Sequence, residues 1–232
     1  MGSADGARDI EAAVEIPEVL RGFEGFLERR FRQAQGGAEA LELALIHFAV
    51  CHRPRMLASV LLIERMRTVR QIRQYKPEPV PQEIVRDLLK VARWTGSSRN
   101  TQPWHFVVVT DKEQLRKISQ LRTPINWLAA APLGIAIVLD GAGVSEAYDE
   151  GRVTERILIA AHSLGYGAGV AWFGDDTQQA EAKRILGIPA ERTARSVVMI
   201  GRRVSAKDPR PSARPGGRKP LSEIVSYDRY SK

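Results

Sequence analysis

The chain has little cysteine, little histidine and few aromatic residues: one cysteine, Cys51, four histidines and 6% aromatics among 232 residues. One cysteine excludes an intrachain disulfide, and these residues show no spacing typical of a zinc or iron site. No uninterrupted run of about 18 apolar residues is present, because the longest candidate, 41–63, is broken by the His-Arg-Pro-Arg sequence at 52–55. The first residues also lack the basic-then-apolar order of a secretory signal. We therefore expect a cytoplasmic protein with neither a metal nor a membrane partner.

Positive charge predominates, with 35 Lys and Arg against 27 Asp and Glu. Residues 1–66 contain 8 basic and 10 acidic side chains, so the excess lies in the remainder, which contains 27 and 17. Part of it clusters in the Pro- and Gly-rich segment Arg202–Lys219. Such a field favours an anionic cofactor and a phosphorylated cosubstrate, although a solvated basic loop accounts for the same residues. Because the tryptophans are not interleaved with basic residues, we expect no nucleic-acid partner.

Two regions are predicted from composition. Residues 1–66 contain a predicted amphipathic helix over 16–34, a Gly-Gly break and the interrupted apolar run. We predict an N-terminal extension, helical or poorly ordered, and the alternative is sequence upstream of a natural start at Met56 or Met66. Residues 67–232 are enough for one domain with a full core.

Elements of alternating type follow along residues 67–232. Helical spacing of apolar residues predicts helices over 81–96, 112–121, 148–165 and 177–187. Apolar or β-branched runs predict strands over 104–109, 133–140, 168–174 and 195–201. We expect Asp111 to cap the second helix through Gln114, and Gly96 and Gly187 to end the first and the last. This order predicts a mixed α/β architecture in which helices cover a sheet.

The segment Gly96–Val109, GSSRNTQPWHFVVV, places small residues and amides directly before a predicted buried strand. The side chains of Asn100 and Gln102 can donate and accept hydrogen bonds at once. A polar loop held by a buried strand suits the binding of a flat heterocycle or a sugar-like chain. Upstream, Arg70 and Arg73 lie three residues apart, and two guanidiniums at that spacing form a candidate phosphate clamp.

Both segments resemble the FMN-dependent nitroreductase superfamily. Its members typically carry R-R-S-x-R-x-F followed by P-x-P-V-P, which corresponds to residues 69–75 and 77–81 here. They continue with A-P-S-x-x-N-x-Q-P-W, which corresponds to residues 95–104. The two motifs occur in the family's order and at the family's separation, and this agreement is more specific than either motif alone.

The chain also departs from these motifs at three positions. Val69 stands where the family often has its first arginine, Gln71 where it often has serine, and Gly96 where it often has proline. Arg67, two residues before Val69, is a candidate for the missing positive charge.

The resemblance implies an α+β fold, an α/β/α sandwich in which a mixed, mainly antiparallel sheet is flanked by helices. It also implies a homodimer with FMN at the subunit interface. The arginine of the family's R-x-P-L motif corresponds to Arg218, and residues 162–167 match H-x-L-G-x-G, after which the backbone lies beside the flavin ring. The cofactor-binding residues that the resemblance implies are Arg70, Gln71, Arg73, Ser97, Ser98, Asn100, Gln102, Ala171, Trp172 and Arg218.

The activity implied by the resemblance is the reduction of a small organic acceptor, such as a nitroaromatic or a quinone, by NAD(P)H in a ping-pong mechanism. The flavin would carry the chemistry and no side chain would be a nucleophile. Gly165-x-Gly167-x-Gly169 does not indicate a dinucleotide-binding turn, because it ends a predicted helix and enters a strand. The alternatives are a flavin-binding or flavin-storing protein without turnover, a flavin-dependent dehalogenase, and a basic nucleic-acid-binding module.

Overall fold

The computed structural model describes residues 62–63, 65–204 and 218–230. The chain divides into two compact units, Met1–Glu64 and Arg65–Lys232, and the fold described below is that of the second. The helix predicted over 16–34 and nearly all of the predicted N-terminal extension lie outside the described residues. So does most of the basic segment, of which 202–204 and 218–219 are described.

A four-stranded antiparallel sheet forms the centre of this unit, in the order β1-β2-β4-β3. Every residue of β2 is buried, as expected for a strand covered on both faces. The first strand pairs Trp104 with Leu139, and the third pairs Ala171 with Val197. The strands are β1 (Trp104–Val109), β2 (Leu133–Leu139), β3 (Gly167–Trp172) and β4 (Thr193–Gly201).

Helices cover both faces of the sheet. They are α1 (Gln82–Arg93), α2 (Lys112–Ser119), α3 (Val144–Ser163) and α4 (Asp176–Leu186). Alternate residues of β2 point to opposite faces: Ile135 packs in the core with α1 and α3, whereas Ala136 packs in the core with α2 and α4. The predicted α+β sandwich with a mainly antiparallel sheet flanked by helices is confirmed. No helix of the described residues is both long and apolar enough to cross a bilayer.

The helix ends follow the sequence signals with one exception. The carboxylate of Asp111 accepts a hydrogen bond from the backbone N–H of Gln114 at 2.7 Å, and Gly187 ends α4 with a positive φ of 66°. The prediction that Gly96 ends α1 is wrong, because the helix ends at Arg93. Gly96 lies beyond it, in the loop that leads to β1.

Candidate functional site

The segment Gln71–Tyr75 runs along the outer edge of β3. The N–H of Ile72 donates to the carbonyl of Ala168 at 2.7 Å, and the N–H of Val170 donates to the Gln71 side-chain oxygen at 3.2 Å. Gln71 and Ala168 form a parallel bridge. The segment therefore covers a sheet edge that would otherwise present unpaired backbone groups, and it fixes the position of residues 67–70 before it.

Gly169 makes this close approach possible. A Cβ atom at this position would lie 2.4 Å from the carbonyl oxygen of Ile72, which is nearer than real Cβ contacts come. The glycine-rich run ends α3 and enters β3, as predicted from the sequence, so it lacks the strand-to-helix order of a dinucleotide-binding turn. Its visible role is to let the Gln71–Tyr75 segment pack against the strand.

A cavity of about 270 Å³, here called the arginine cavity, opens where this segment meets α3 and the carboxyl-terminal segment. Its described lining includes three arginines and one glutamate, and a planar guanidinium is well suited to bind a phosphate group. Pockets that hold a whole small-molecule ligand measure roughly 300–1,000 Å³, so this cavity is large enough for part of a mononucleotide. It is lined by Met66, Arg67, Val69, Arg70, Gln71, Glu155, Leu158 and Arg218.

Of the residues predicted to bind phosphate, the cavity brings together Arg70 and Arg218 but not Arg73, and it adds Arg67, the candidate for the missing positive charge. Arg70 Nη1 donates to the carbonyls of Arg67 and Val69 at 2.8 and 2.7 Å. Arg73 is not in the described lining; it donates to the Gln71 oxygen at 3.0 Å, and its guanidinium lies 5.7 Å from the Trp127 ring centroid. Spacing of three residues places side chains together on a helix, but this segment is extended.

His162 lies in a positive electrostatic potential beside the arginine cavity. Burial lowers the pKa of its imidazole, and the nearby charges of Arg65, Arg203 and Arg70 lower that pKa further. Its Nε2 atom lies 3.4 Å from the Thr68 hydroxyl. The imidazole is therefore mainly neutral at pH 7, and an anion bound among these arginines would raise its pKa.

The loop Ser97–Gln102 holds the predicted amide and hydroxyl groups in an unusual backbone conformation. Arg99, Asn100 and Gln102 have positive φ angles of 49°, 56° and 49°, a region that residues other than glycine rarely adopt. The N–H of Gln102 donates to the Ser97 hydroxyl at 2.8 Å. Within the described part of the chain, none of these loop residues lines the arginine cavity. Within a single chain, the predicted loop residues therefore lie outside the cavity that the predicted phosphate-binding arginines line.

Helix α3 contacts both regions. The buried carboxylate of Asp149 accepts a hydrogen bond from the backbone N–H of Ser98 at 3.1 Å, and Glu155 and Leu158 line the arginine cavity. Sequence reasoning missed Asp149 and Glu155. The available signal for Asp149 was its helical spacing to Val153 and Ile157 on the buried face, because a charged residue in an apolar stripe usually has a specific partner.

The predicted pair on β3 divides between the two edges of that strand. The N–H of Val170 faces the outer edge, where it donates to Gln71, and backbone groups alternate in direction along a strand. The backbone groups of Trp172 therefore face the same edge, whereas those of Ala171 face β4. Trp172 is also half exposed and Ala171 is buried. This geometry favours Trp172 for contact with a ligand at the outer edge.

The described residues contain no cluster of three or more His, Cys, Asp or Glu arranged to hold an ion. The candidate site comprises the arginine cavity, the Ser97–Gln102 loop and the outer edge of β3.

Known proteins are similar to this chain in sequence and in fold. A model of the nitroreductase family matches residues 66–139. A protein of Archaeoglobus fulgidus, provisionally named an NADH dehydrogenase/NAD(P)H nitroreductase, is 35% identical over 149 residues, which are 61% of this chain and 84% of that protein.

Solved structures agree with these matches. An FMN-dependent nitroreductase from Clostridium difficile superposes with a TM-score of 0.64 at 26% identity, covering 72% of this chain and 99% of that chain. A provisionally named nitroreductase from Desulfovibrio desulfuricans, solved in complex with FMN, superposes with a TM-score of 0.62 at 25% identity, covering 73% and 98%. The fold is thus the α+β fold of nitroreductases. The chain belongs to the nitroreductase family, as its motifs predicted.

Proposed function

We propose that this protein is an FMN-dependent oxidoreductase that uses NAD(P)H to reduce a small organic acceptor such as a nitroaromatic or a quinone. The observation that carries the proposal is the convergence of Arg67, Arg70 and Arg218 on one cavity in a member of the nitroreductase family. When bound, FMN supplies the redox chemistry, taking electrons from NAD(P)H and passing them to the acceptor in a ping-pong sequence.

The residues present fit the phosphate end of FMN. Among the described lining residues, three arginines against one glutamate give a net positive charge, as a phosphate dianion requires. Gln71 closes one side of the cavity, and its side-chain oxygen is held by the N–H of Val170 and by Arg73. Arg73 would therefore act by orienting Gln71. No reaction step requires a protein nucleophile, so the role of this chain is to bind and orient.

The remaining predicted residues would bind the ribityl chain and the ring. Ser97, Ser98, Asn100 and Gln102 offer hydroxyl and amide groups that can both donate and accept hydrogen bonds. The outer edge of β3 at Trp172 offers backbone groups and an indole-bearing residue of which 48% is exposed. We propose that these groups contact the flavin, with the contribution of Ala171 limited to packing.

We propose that two copies of the chain complete the site, with FMN at the subunit interface. The arginine cavity is too small for all of FMN, and the Ser97–Gln102 loop is not part of its described lining. The carboxyl-terminal segment also exposes five large apolar side chains, which is typical of a surface that another chain covers. They are Leu221, Ile224, Val225, Tyr227 and Tyr230, exposed by 44% to 87%. We further propose a cytoplasmic location, where a chain with one cysteine needs no oxidising compartment.

An anaerobic titration tests the proposed activity. The purified protein is reconstituted with FMN, freed of excess flavin, and titrated with NADH or NADPH while the visible flavin band is recorded. We expect the band to disappear with one of the two nucleotides and to return on addition of a nitroaromatic or a quinone. A bound flavin that neither nucleotide bleaches would indicate a storage protein, and a protein that cannot be loaded with FMN would contradict the proposal entirely.

A matched arginine variant controls for the general loss of positive charge. Arg86 lies on the exposed face of α1 and outside the described lining of the arginine cavity. Arg86→Ala removes the same charge as Arg70→Ala, which should weaken FMN binding. We expect the Arg86→Ala protein to bind FMN as the wild-type protein does, and its bound flavin to be bleached in the same way.

A further inference from the structure

The backbone of the Ser97–Gln102 loop needs support from outside the loop. Three of its six residues are non-glycine residues with positive φ, and such conformations persist only where the surrounding structure enforces them. The adjoining Thr95 hydroxyl is buried and has no hydrogen-bond partner among the described residues. The positive φ angles and the Thr95 hydroxyl are both energetically unfavourable, and both lie in or next to this loop.

A buried carboxylate on α3 supplies that support. The side chain of Asp149 is only 3% exposed, and one of its oxygens accepts a hydrogen bond from the N–H of Ser98 at 3.1 Å. Its other oxygen accepts from Arg152 Nη1 at 3.2 Å. Both oxygens are thus engaged, one with the loop backbone and one with the next turn of the same helix.

Gly96 leaves the room that this arrangement needs. A Cβ atom at residue 96 would lie 2.8 Å from Arg152 Nη2, so any larger residue would push the guanidinium away. Arg152 is half exposed and flexible, so it would give way and its contact with Asp149 would weaken. Glycine at this position, where the family motif often has proline, leaves room for the Arg152 guanidinium.

We propose that Asp149 is a positioning residue that holds the Ser97–Gln102 loop in its binding conformation, with Arg152 and Gly96 keeping its carboxylate in place. It acts by fixing the backbone at Ser98, two and four residues before the amides of Asn100 and Gln102. This inference rests on the proposed function only in assigning those amides to FMN. The anchoring of the loop is a separate claim with its own measurement.

Amide hydrogen exchange in the protein without flavin tests the anchor. In Asp149→Ala we expect exchange at residues 98–102 to accelerate at least about tenfold, because a hydrogen bond to a buried charge is lost. Asp149→Asn retains an acceptor oxygen for Ser98, so we expect a smaller increase. Glu150→Gln is the matched control: Glu150 is the next residue of α3 and is also buried, but it accepts from Ser196 and Arg195 of β4. Unchanged exchange at 98–102 in a folded Asp149→Ala protein would overturn the anchor.

Flavin affinity tests the link to the site and separates it from general damage. The loop would hold the ring and the ribityl chain. Asp149→Ala should therefore lower the affinities for FMN and for riboflavin by the same factor, about tenfold. Arg70→Ala should lower the affinity for FMN and leave the affinity for riboflavin unchanged, since riboflavin has no phosphate. If exchange changes but both flavin affinities do not, the anchor stands and its role in the site is refuted. If wild-type protein binds no flavin, the proposed function fails while the exchange result still decides the anchor.

A double variant tests the part played by Gly96 and Arg152 without touching the buried carboxylate. We expect Gly96→Ala and Arg152→Ala each to accelerate exchange at 98–102, by less than Asp149→Ala does. In the double variant the effect of Gly96→Ala should disappear, because its target guanidinium is absent. Fully additive effects would contradict this arrangement.

Discussion

The arginine cavity and the Ser97–Gln102 loop both contact α3, but different physical properties define them. The cavity is defined by charge: three arginines from two separate segments, 67–70 and the carboxyl-terminal segment, line it together with Glu155. The loop is defined by backbone conformation: three residues with positive φ are held by the Ser97 hydroxyl and by Asp149. Attraction between opposite charges tolerates approximate geometry, whereas hydrogen bonds to a ring require donors and acceptors that point in fixed directions. The two regions should therefore respond differently to substitution.

The largest expected effect comes from Gly169→Ala, which tests whether the cavity depends on the edge of β3. The new methyl group would meet the carbonyl of Ile72 and push the Gln71–Tyr75 segment away from the strand. We expect a loss of about 1–3 kcal/mol in the free energy of unfolding, together with loss of FMN binding. Urea denaturation and flavin titration measure the two effects.

Gly151→Ala is the control for that substitution. Gly151 lies inside α3, and a methyl group added there would have no neighbouring atom within 4 Å beyond the helix's own backbone. We therefore expect a gain of about 0.5–1 kcal/mol in the free energy of unfolding. Equal effects of the two substitutions would mean that the close approach of Ile72 has no energetic weight.

Arg218→Ala should have the next largest effect, and it tests the contribution of charge to the cavity. Arg218 is exposed, so we expect stability to change little while FMN affinity falls about tenfold or more. Isothermal titration in low and high salt checks this prediction, and the difference between variant and wild type should shrink as salt rises. An affinity that is unchanged at low salt would remove Arg218 from the site.

Gln102→Gly should separate stability from binding in the loop. Glycine adopts a positive φ without steric cost, so we expect stability to be retained or raised by up to about 1 kcal/mol. FMN affinity should fall severalfold because the amide is lost. Thermal unfolding and flavin titration on the same sample test the two halves, and a stable variant with unchanged affinity would show that this amide does not contact FMN.

The smallest expected effect is a pH dependence at His162. Its pKa in the folded protein lies below the ordinary value of 6.5, so the unfolded chain binds a proton first as pH falls. Stability should therefore decrease from about pH 6.5 down to the lowered pKa and then level off. His162→Gln should remove this component of the denaturation profile. Imidazole titration by NMR should also show a higher pKa once FMN is bound, and an unchanged pKa would place the phosphate elsewhere.

Much of the fold could be predicted from the sequence because its signals are local. Apolar runs predicted β2 and β4, and the pairs Asp111–Gln114 and Leu186–Gly187 marked helix ends where the structure has them. The prediction for the end of α1 is wrong because Gly96 resembles a helix terminator, whereas its lack of a side chain leaves room for Arg152, which is distant in sequence.

The candidate site was less predictable, for reasons that differ between its two regions. Residue types in the cavity followed from the motifs, yet the grouping of Arg67 with Arg70 and Arg218 depends on an extended segment along β3, which residue spacing alone does not reveal. In the loop, positive φ at Arg99 and Gln102 has no sequence signal, because these residue types seldom adopt it, whereas asparagine, as at position 100, adopts it more often. The partner that enforces it, Asp149, comes from a helix some 50 residues away in the chain.

The most direct test of the central claim compares FMN with riboflavin as ligands of the wild-type protein without flavin. The two differ only in the phosphate, so their affinity ratio measures what the arginine cavity contributes. We predict that FMN binds about 100-fold more tightly at low salt, and that Arg70→Ala lowers this ratio about tenfold, because Arg67 and Arg218 remain. Equal affinities of the wild-type protein for the two ligands would contradict the assignment of the cavity to the phosphate.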